Sequence, residues 1–211
     1  MSMTRRTIGW LAAMMLSFAA LGAHAQAKAP EALIKEVSTD VLDAVKADKT
    51  IQAGDLRKVI ALVDQKVLPY VNFQRMTASA VGRYWKQATP DQQKRLQDEF
   101  KLLLVRTYSG ALSQVSSEQT VELRPMRSAA TDNEVVVRTE IKGKGDPIQL
   151  DYRLEKAGDS WKIYDVNVLG VWLVENYRNS FAQEIGANGI DGLIAKMAER
   201  NKSAAAAGAK S

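Results

Sequence analysis

The spacing of apolar residues changes along this chain, and the change limits the folds that the chain can adopt. Up to Tyr108 they recur every three or four positions, the period of an amphipathic helix. From Gln119 to Val168 they recur every second position, the period of a strand with one solvated face. After Val168 the helical period returns. Helices, then a sheet, then helices again predict one α+β domain.

Start and stop signals bound the predicted helices. The clearest is the start signal at Thr89. Thr89 is the N-cap residue, Pro90 takes the first helical position, and Gln92 completes a capping box. The helix that begins there is predicted to be long. The other predicted helices are Glu31–Lys49, Asp55–Val67, Phe73–Val81, Val171–Ile185 and Gly189–Arg200.

Four strands are predicted where the period is two. They are centred on Val121–Leu123, Val135–Ile141, Ile148–Leu154 and Trp161–Val168. The links between them are rich in turn formers. We therefore predict a twisted, mostly antiparallel four-stranded sheet packed against the helices.

The hairpin of the last two strands has a predicted register. With Gly158-Asp159 as the two loop residues, the expected pairs are Leu154 with Ile163, Tyr152 with Asp165, and Leu150 with Asn167. This register directs Asp165 to the same face as Trp161 and Ile163. A carboxylate among such neighbours would have a raised pKa.

The first 25 residues have the features of a secretory signal. Arg5-Arg6 precede an apolar run from Ile8 to Leu21, and a small-x-small site predicts cleavage after Ala25. The run is too short to span a bilayer comfortably. We expect an exported, soluble protein whose single domain covers 26–200, followed by a disordered tail over 201–211 that lacks an apolar stripe.

The composition of the mature chain excludes several classes of enzyme. Cleavage removes His24, the only histidine, and the chain has no cysteine. Disulfides, thiolate nucleophiles, Ser-His-Asp triads and zinc sites of the usual ligand types are thereby excluded. Because these ligand types are missing, we expect no metal. Without Arg5 and Arg6 the net charge falls from +5 to +3, with basic residues spread along the chain, so we expect no nucleic-acid partner.

The interior between sheet and helices leaves three hypotheses open. A filled core would suit a non-catalytic interaction module. A small apolar pocket with Asp165 as general base would suit a cone-shaped α+β enzyme acting on an apolar substrate. A larger pocket would suit a carrier of apolar molecules.

Several short blocks, in this order, resemble the MlaC family, the toluene-tolerance auxiliary component of ABC transporters. The resemblance covers about Val37 to Arg200. The blocks are Phe73-Gln74-Arg75-Met76, Gly82-Arg83-Tyr84-Trp85, Ala88-Thr89-Pro90-Asp91-Gln92-Gln93, Phe100 with Leu103-Leu104 and Tyr108, Asp165–Val171, and Asn176-Tyr177-Arg178. One departure is Trp172, where a small polar residue, usually Ser, is expected; if that position touches the ligand, Trp172 would narrow or reshape the pocket.

The resemblance implies a periplasmic phospholipid carrier without catalytic activity or cofactor. Members hold acyl chains in an apolar pocket and exchange lipid with an outer-membrane lipoprotein complex and an inner-membrane ABC transporter bearing an MCE-type ring. We expect a monomer, because it must dock at two membranes. Exposing about 30 methylenes of a two-chain lipid to water costs on the order of 25 kcal/mol, so a carrier must enclose the chains.

The expected pocket wall follows from the face and period of each predicted element. Arg75, Arg83 and Arg153 are candidates to meet the phosphate. The predicted lipid-binding residues are Val67, Val71, Phe73, Met76, Trp85, Phe100, Leu104, Leu150, Tyr152, Ile163, Val171 and Tyr177.

Overall fold

The computed structural model describes residues 28–126 and 132–208 of the 211-residue chain. The predicted signal peptide and its cleavage site lie outside the described residues. No helix in the described ranges is both long and apolar enough to cross a membrane.

In the part of the chain that the structure describes, six α-helices are joined by shorter helical turns. The α-helices are α1 (Pro30–Ala47), α2 (Lys49–Gln52), α3 (Leu56–Leu62), α4 (Phe73–Val81), α5 (Pro90–Ser109) and α6 (Leu173–Gly208). A π-helical turn at Val63–Val67 follows α3, and 3₁₀ turns occupy Leu68–Tyr70, Gly82–Gln87 and Gly110–Gln114. The fold is therefore predominantly helical around one sheet.

Over the described residues the sheet has five strands, one more than predicted. They are β1 (Thr120–Arg124), β2 (Glu134–Lys142), β3 (Ile148–Ala157), β4 (Ser160–Val168) and β5 (Val171–Trp172), antiparallel and in chain order across the sheet. The short β5 was missed because Val171 and Trp172 were assigned to the helix that follows. The α+β class and the antiparallel meander are confirmed.

The capping box that begins α5 is present as predicted. Thr89 Oγ1 accepts a hydrogen bond from the Gln92 amide at 3.2 Å, and Gln92 Oε1 accepts one from the Thr89 amide at 3.0 Å. Two of the helix's unpaired amide donors are satisfied in this way. The cap fixes where the longest uninterrupted helix of the fold starts.

A β-bulge in β4 changes the predicted hairpin register. Leu154 pairs with Ile163 as expected, but Arg153 pairs with Asp165, so Tyr164 is an extra residue on β4. Beyond the bulge, Tyr152 faces Val166 and Leu150 faces Val168. The predicted pairs of Tyr152 with Asp165 and of Leu150 with Asn167 are wrong by one residue.

The bulge decides which face of the sheet each residue of β4 occupies. Val166 and Val168 lie on the inner face, which the helices cover. Asp165 and Asn167 lie on the outer face, opposite Arg153 and Asp151. The charged end of the strand is thereby kept out of the apolar interior.

Two apolar clusters form most of the interior. One joins α1 to the sheet through residues such as Ile34, Val137 and Leu154. The other joins α4, α5 and α6, with Phe100 packed edge-on against Tyr177 and Phe181 at centroid distances of 5.1 and 5.2 Å. A third, smaller cluster ties α1 to α3 and α5.

The last helix, α6, consists of two helical segments that meet at Gly189. Its φ of 71° lies in the left-handed region, which glycine adopts at little cost. The two-segment arrangement matches the predicted break. Helix α6 continues through Gly208, beyond Asn201, where we predicted the disordered tail to begin. Asn201 is buried, and its Nδ2 donates to the carbonyl oxygen of Glu99 at 3.0 Å.

Candidate functional site: an apolar cavity between sheet and helices

A cavity of about 370 Å³ lies between the inner face of the sheet, α5 and the π-helical turn. Its wall is almost entirely apolar. The lining residues are Val63, Val67, Leu68, Val71, Phe73, Met76, Lys101, Leu104, Val105, Tyr108, Ala111, Leu112, Gln114, Val115, Gln119, Ile141, Ile148, Leu150, Val166, Val168 and Leu173.

The cavity exists because α1 covers only part of the inner face of the sheet. The helix packs on Val135, Val137 and Leu154, at one end of the central strands. The other end of the inner face carries five apolar side chains, of which only Val166 packs against the two large clusters. They are Ile141, Ile148, Leu150, Val166 and Val168. These side chains line the open space instead of a helix interface.

Helix α5 has two apolar faces, and only one of them meets the cavity. Leu96, Phe100 and Leu103 are buried against α4 and α6. Leu104 and Tyr108, on the adjacent stripe, line the cavity. A sequence periodicity that shows one broad apolar stripe cannot separate these two faces.

Six of the twelve residues predicted to bind lipid lie on the cavity wall. They come from four separate parts of the chain, which the fold brings together. They are Val67, Val71, Phe73, Met76, Leu104 and Leu150.

The structure places the other six predicted residues away from the wall. Phe100 and Tyr177 fill the helical cluster, and Trp85 packs against it. Ile163 is buried beneath α1. Tyr152 packs against the same α1 cluster, and its hydroxyl lies 3.2 Å from Ser38 Oγ of α1. Val171 is 49% exposed on β5.

The wall includes Val166 and Val168, which were not predicted. The alternation of apolar residues along β4 contains the signal that identifies them. Trp161 and Ile163 are apolar at odd positions, whereas Val166 and Val168 are apolar at even positions. Such a change of parity within one strand indicates an inserted residue. Ile148 was also missed, although it shares the alternation that identified Leu150.

Few polar groups reach the cavity. The Lys101 ammonium nitrogen lies 2.9 Å from Asp64 Oδ1 in the π-helical turn. Burial, with a smaller effect of Tyr177, raises the pKa of the Tyr108 phenol, so this side chain is neutral at physiological pH. Gln119 is buried, and its Oε1 accepts a hydrogen bond from the Ser116 amide.

Asp165 does not face the cavity, and its predicted orientation is wrong. The carboxylate is 1% exposed on the outer side of the sheet. Oδ1 accepts hydrogen bonds from the amides of Val174 at 3.1 Å and Val166 at 2.9 Å, and Oδ2 lies 3.0 Å from Arg153 Nη1. Burial raises its pKa, while these donors act in the opposite direction. Asp165 therefore anchors the start of α6 on the sheet.

Trp172 also lies outside the cavity. Trp172, in β5, pairs with Asn167 of β4, and its ring covers the Arg153 guanidinium on the outer face. The expectation that Trp172 could narrow the cavity does not hold, because this side chain does not belong to the cavity wall.

The three arginines considered as phosphate contacts are engaged elsewhere. Arg75 pairs with Glu134 and Glu155, and its guanidinium lies over the Tyr164 ring. Arg83 donates to the Tyr84 hydroxyl at 3.0 Å. Neither they nor Arg153 line the cavity.

The chemistry of the site follows from this wall. Within the described ranges, no group of acidic, histidine or cysteine side chains could hold a metal ion. A water-filled space of this kind is unfavourable because its wall offers few hydrogen-bond partners. The cavity is suited to bind hydrocarbon.

Comparison with known families gives one match that covers most of the chain. The sequence profile of the family described as "MlaC protein" matches residues 35–199. The match includes every residue that lines the cavity.

Two named relatives match over most of their own length. The intermembrane phospholipid transport system binding protein MlaC of Haemophilus influenzae is 26% identical over 172 residues, covering 80% of each chain. The toluene tolerance protein ttg2D of Pseudomonas putida is 25% identical over 185 residues, covering 84% of this chain and 86% of that protein.

A solved structure is also similar. It is a phospholipid-binding protein from Ralstonia solanacearum in complex with a phospholipid. The two chains are 48% identical, with a TM-score of 0.79, and the match covers 83% of this chain and 98% of that one.

Proposed function

The chain belongs to the MlaC family, and on this basis we propose that it is a periplasmic protein that binds phospholipid and carries it between membranes. The observation that carries the proposal is the cavity of about 370 Å³ with its apolar wall. It lies in a fold whose relative from Ralstonia solanacearum holds a phospholipid. The cavity also falls within the roughly 300–1,000 Å³ typical of ligand pockets.

The size of the cavity implies that its wall moves when a whole lipid binds. An engineered cavity of about 150 Å³ takes one benzene, which has six carbons, so the present space matches about 15 carbons. That is about one acyl chain. A two-chain lipid with about 30 methylenes then requires the wall to part, and we propose that the non-α-helical segment Val63–Tyr70 moves.

The two alternative hypotheses are not favoured. The enzyme hypothesis required Asp165 to face an apolar pocket, but its carboxylate lies on the opposite face and its oxygens are bound to three donors. The filled-core hypothesis required side chains to occupy the space between sheet and helices, which is instead open. We propose that the protein carries its cargo without altering it.

Family membership supports a proposal for the partners and the location. We propose that the signal peptide is cleaved after Ala25 and that a monomer shuttles in the periplasm. Its docking partners are proposed to be an outer-membrane lipoprotein complex and an inner-membrane ABC transporter with an MCE-type ring. Bound phospholipid is the cargo, and no cofactor is proposed.

The decisive experiment is native mass spectrometry of the full chain after export and purification from bacteria. A carrier is expected to appear with an added mass equal to that of a phospholipid, and organic extraction should return that lipid. Protein that carries no lipid, and gains none when incubated with phospholipid vesicles, would contradict the proposed function.

A further inference from the structure

Lys101 is a charged side chain on an otherwise apolar surface. Among residues 28–126 and 132–208, no other charged side chain lines the cavity. It shares one face of α5 with Leu104, Val105 and Tyr108, at spacings of three, four and seven residues, and all four line the cavity. A sequence built only to enclose hydrocarbon would have an apolar residue at this position.

The ammonium group lies where the wall meets water. Its nitrogen is 2.9 Å from Asp64 Oδ1, and the two side chains are 24% and 42% exposed. Lysine can lay its methylene stem along apolar surface while its charge reaches solvent. The arrangement therefore offers a cation at the margin of the cavity, adjacent to the space for an acyl chain.

The pair joins two segments of the wall. Asp64 lies in the π-helical turn between the lining residues Val63 and Val67, and Lys101 lies on α5. A single contact between partly exposed charges contributes little to stability, so Lys101 can exchange Asp64 for another anion at small cost. A phosphodiester is such an anion, since Lys binds phosphate as a point charge.

We infer that Lys101 is the subsite for the phosphate of the bound lipid and that Asp64 occupies it when cargo is absent. The inference rests on the proposed function, because the tail must enter the cavity for the phosphate to arrive at its margin. It also links cargo to opening: transfer of Lys101 to the phosphate removes one contact between the π-helical turn and α5.

The test compares two lipids with identical acyl chains, one of which has no phosphate. Delipidated protein is titrated with fluorescent phosphatidylglycerol and with fluorescent diacylglycerol, both delivered from cyclodextrin. The wild-type chain is expected to prefer the phospholipid by about 2- to 5-fold in Kd, as for a partly exposed charge contact. Lys101→Met should reduce this preference to about one, and Asp64→Asn should increase it.

The matched control is Lys94→Met on the same helix. Lys94 pairs with Asp98 at 2.6 Å, is 76% exposed and lies outside the cavity wall. This variant should keep the wild-type preference. Thermal unfolding of each variant, without lipid, checks that the fold is retained.

A further titration distinguishes a lipid phosphate from free phosphate. Inorganic phosphate alone, followed by two-dimensional NMR, should not shift the Lys101 region at concentrations where phosphatidylglycerol saturates. Equal responses to both would overturn the assignment to the lipid. A wild-type preference that survives in Lys101→Met would overturn the inference and leave the proposed function intact. Failure of the wild-type chain to bind either lipid would overturn both.

Discussion

The guanidinium carbon of Arg153 lies 3.9 Å from the centre of the Trp172 ring. The same guanidinium is hydrogen-bonded to Asp165 at 3.0 Å and to Glu175 at 3.1 Å. Arg153 thus joins β3 and β4 to β5 and the first turn of α6. Trp172 stabilises this junction on the outer face of the sheet, away from the cavity.

Replacing Trp172 with serine, the residue expected there in the family, should lower stability without changing the cargo. Loss of the cation–π contact and of part of the ring's burial should reduce the free energy of unfolding by about 1 kcal/mol. Urea unfolding measures this change. Native mass spectrometry should find the wild-type lipid content, and an altered lipid content would place Trp172 in the path of the ligand.

Asp165→Asn should gain stability relative to the wild type as pH rises from strongly acidic to neutral. Because burial raises the pKa of Asp165, the folded wild type binds a proton more tightly than the unfolded chain. This contribution is present below the ordinary carboxyl pKa of about 3.9 and is lost as pH rises through the folded-state pKa. The amide that replaces the carboxyl group does not titrate. As pH rises, the unfolding free energy of the wild type should therefore fall relative to that of the variant.

Urea unfolding of both proteins over this pH range makes the measurement, and vesicle-to-vesicle phospholipid transfer is followed in parallel. A shift towards the wild type would mean that Arg153 and the backbone amides outweigh burial. If a folded Asp165→Asn variant loses phospholipid transfer, this carboxylate takes part directly in the activity.

Leu150→Asp should abolish lipid binding while leaving a soluble protein. Leu150 is half-buried on β3 and faces the cavity. A carboxylate there has few hydrogen-bond partners, and placing its charge against an acyl chain costs free energy. The lipid-to-protein ratio should fall by about tenfold or more. Lys156→Asp, at the exposed end of the same strand, is the control and should retain its lipid. Normal lipid content in Leu150→Asp would remove this residue from the binding wall.

Leu169→Asn should stabilise the protein. Leu169 has a φ of 52° and is 66% exposed in the turn between β4 and β5. The left-handed conformation is costly for leucine and better tolerated by asparagine, so a gain of about 0.5–1 kcal/mol is expected. Denaturant unfolding is the measurement. Val171→Asn, at a comparably exposed residue of the adjoining strand, should bring no gain; equal gains would mean that removing an exposed apolar side chain, and not relief of the backbone, is the cause.

Local signals in the sequence predicted the elements of this fold well. The capping box at Thr89 and the ends of α4 needed only neighbouring residues to form, so the sequence shows them directly. The short β5 could not be predicted in this way, because its two residues pair with β4 only after the tight turn at Leu169-Gly170 has formed.

The cavity wall was harder to predict because it depends on distances between elements. Phe100 and Leu104 are both apolar residues of α5 that pack against the helical cluster, but Leu104 also lines the cavity and Phe100 does not. No periodicity distinguishes an apolar side chain that meets another from one that meets a void. Lys101 was overlooked for a related reason, since a lysine on a helix is ordinarily solvated.

The extra residue at Tyr164 has a consequence for how this hairpin can change over evolutionary time. Deleting it would rotate every later side chain of β4 by half a turn, bringing Asp165 and Asn167 against the apolar cavity and turning Val166 and Val168 towards Arg153 and Asp151 on the outer face. Single-residue insertions or deletions between Ile163 and Val168 are therefore excluded, even though individual substitutions there can be tolerated. The length of this short segment is under stronger constraint than its composition.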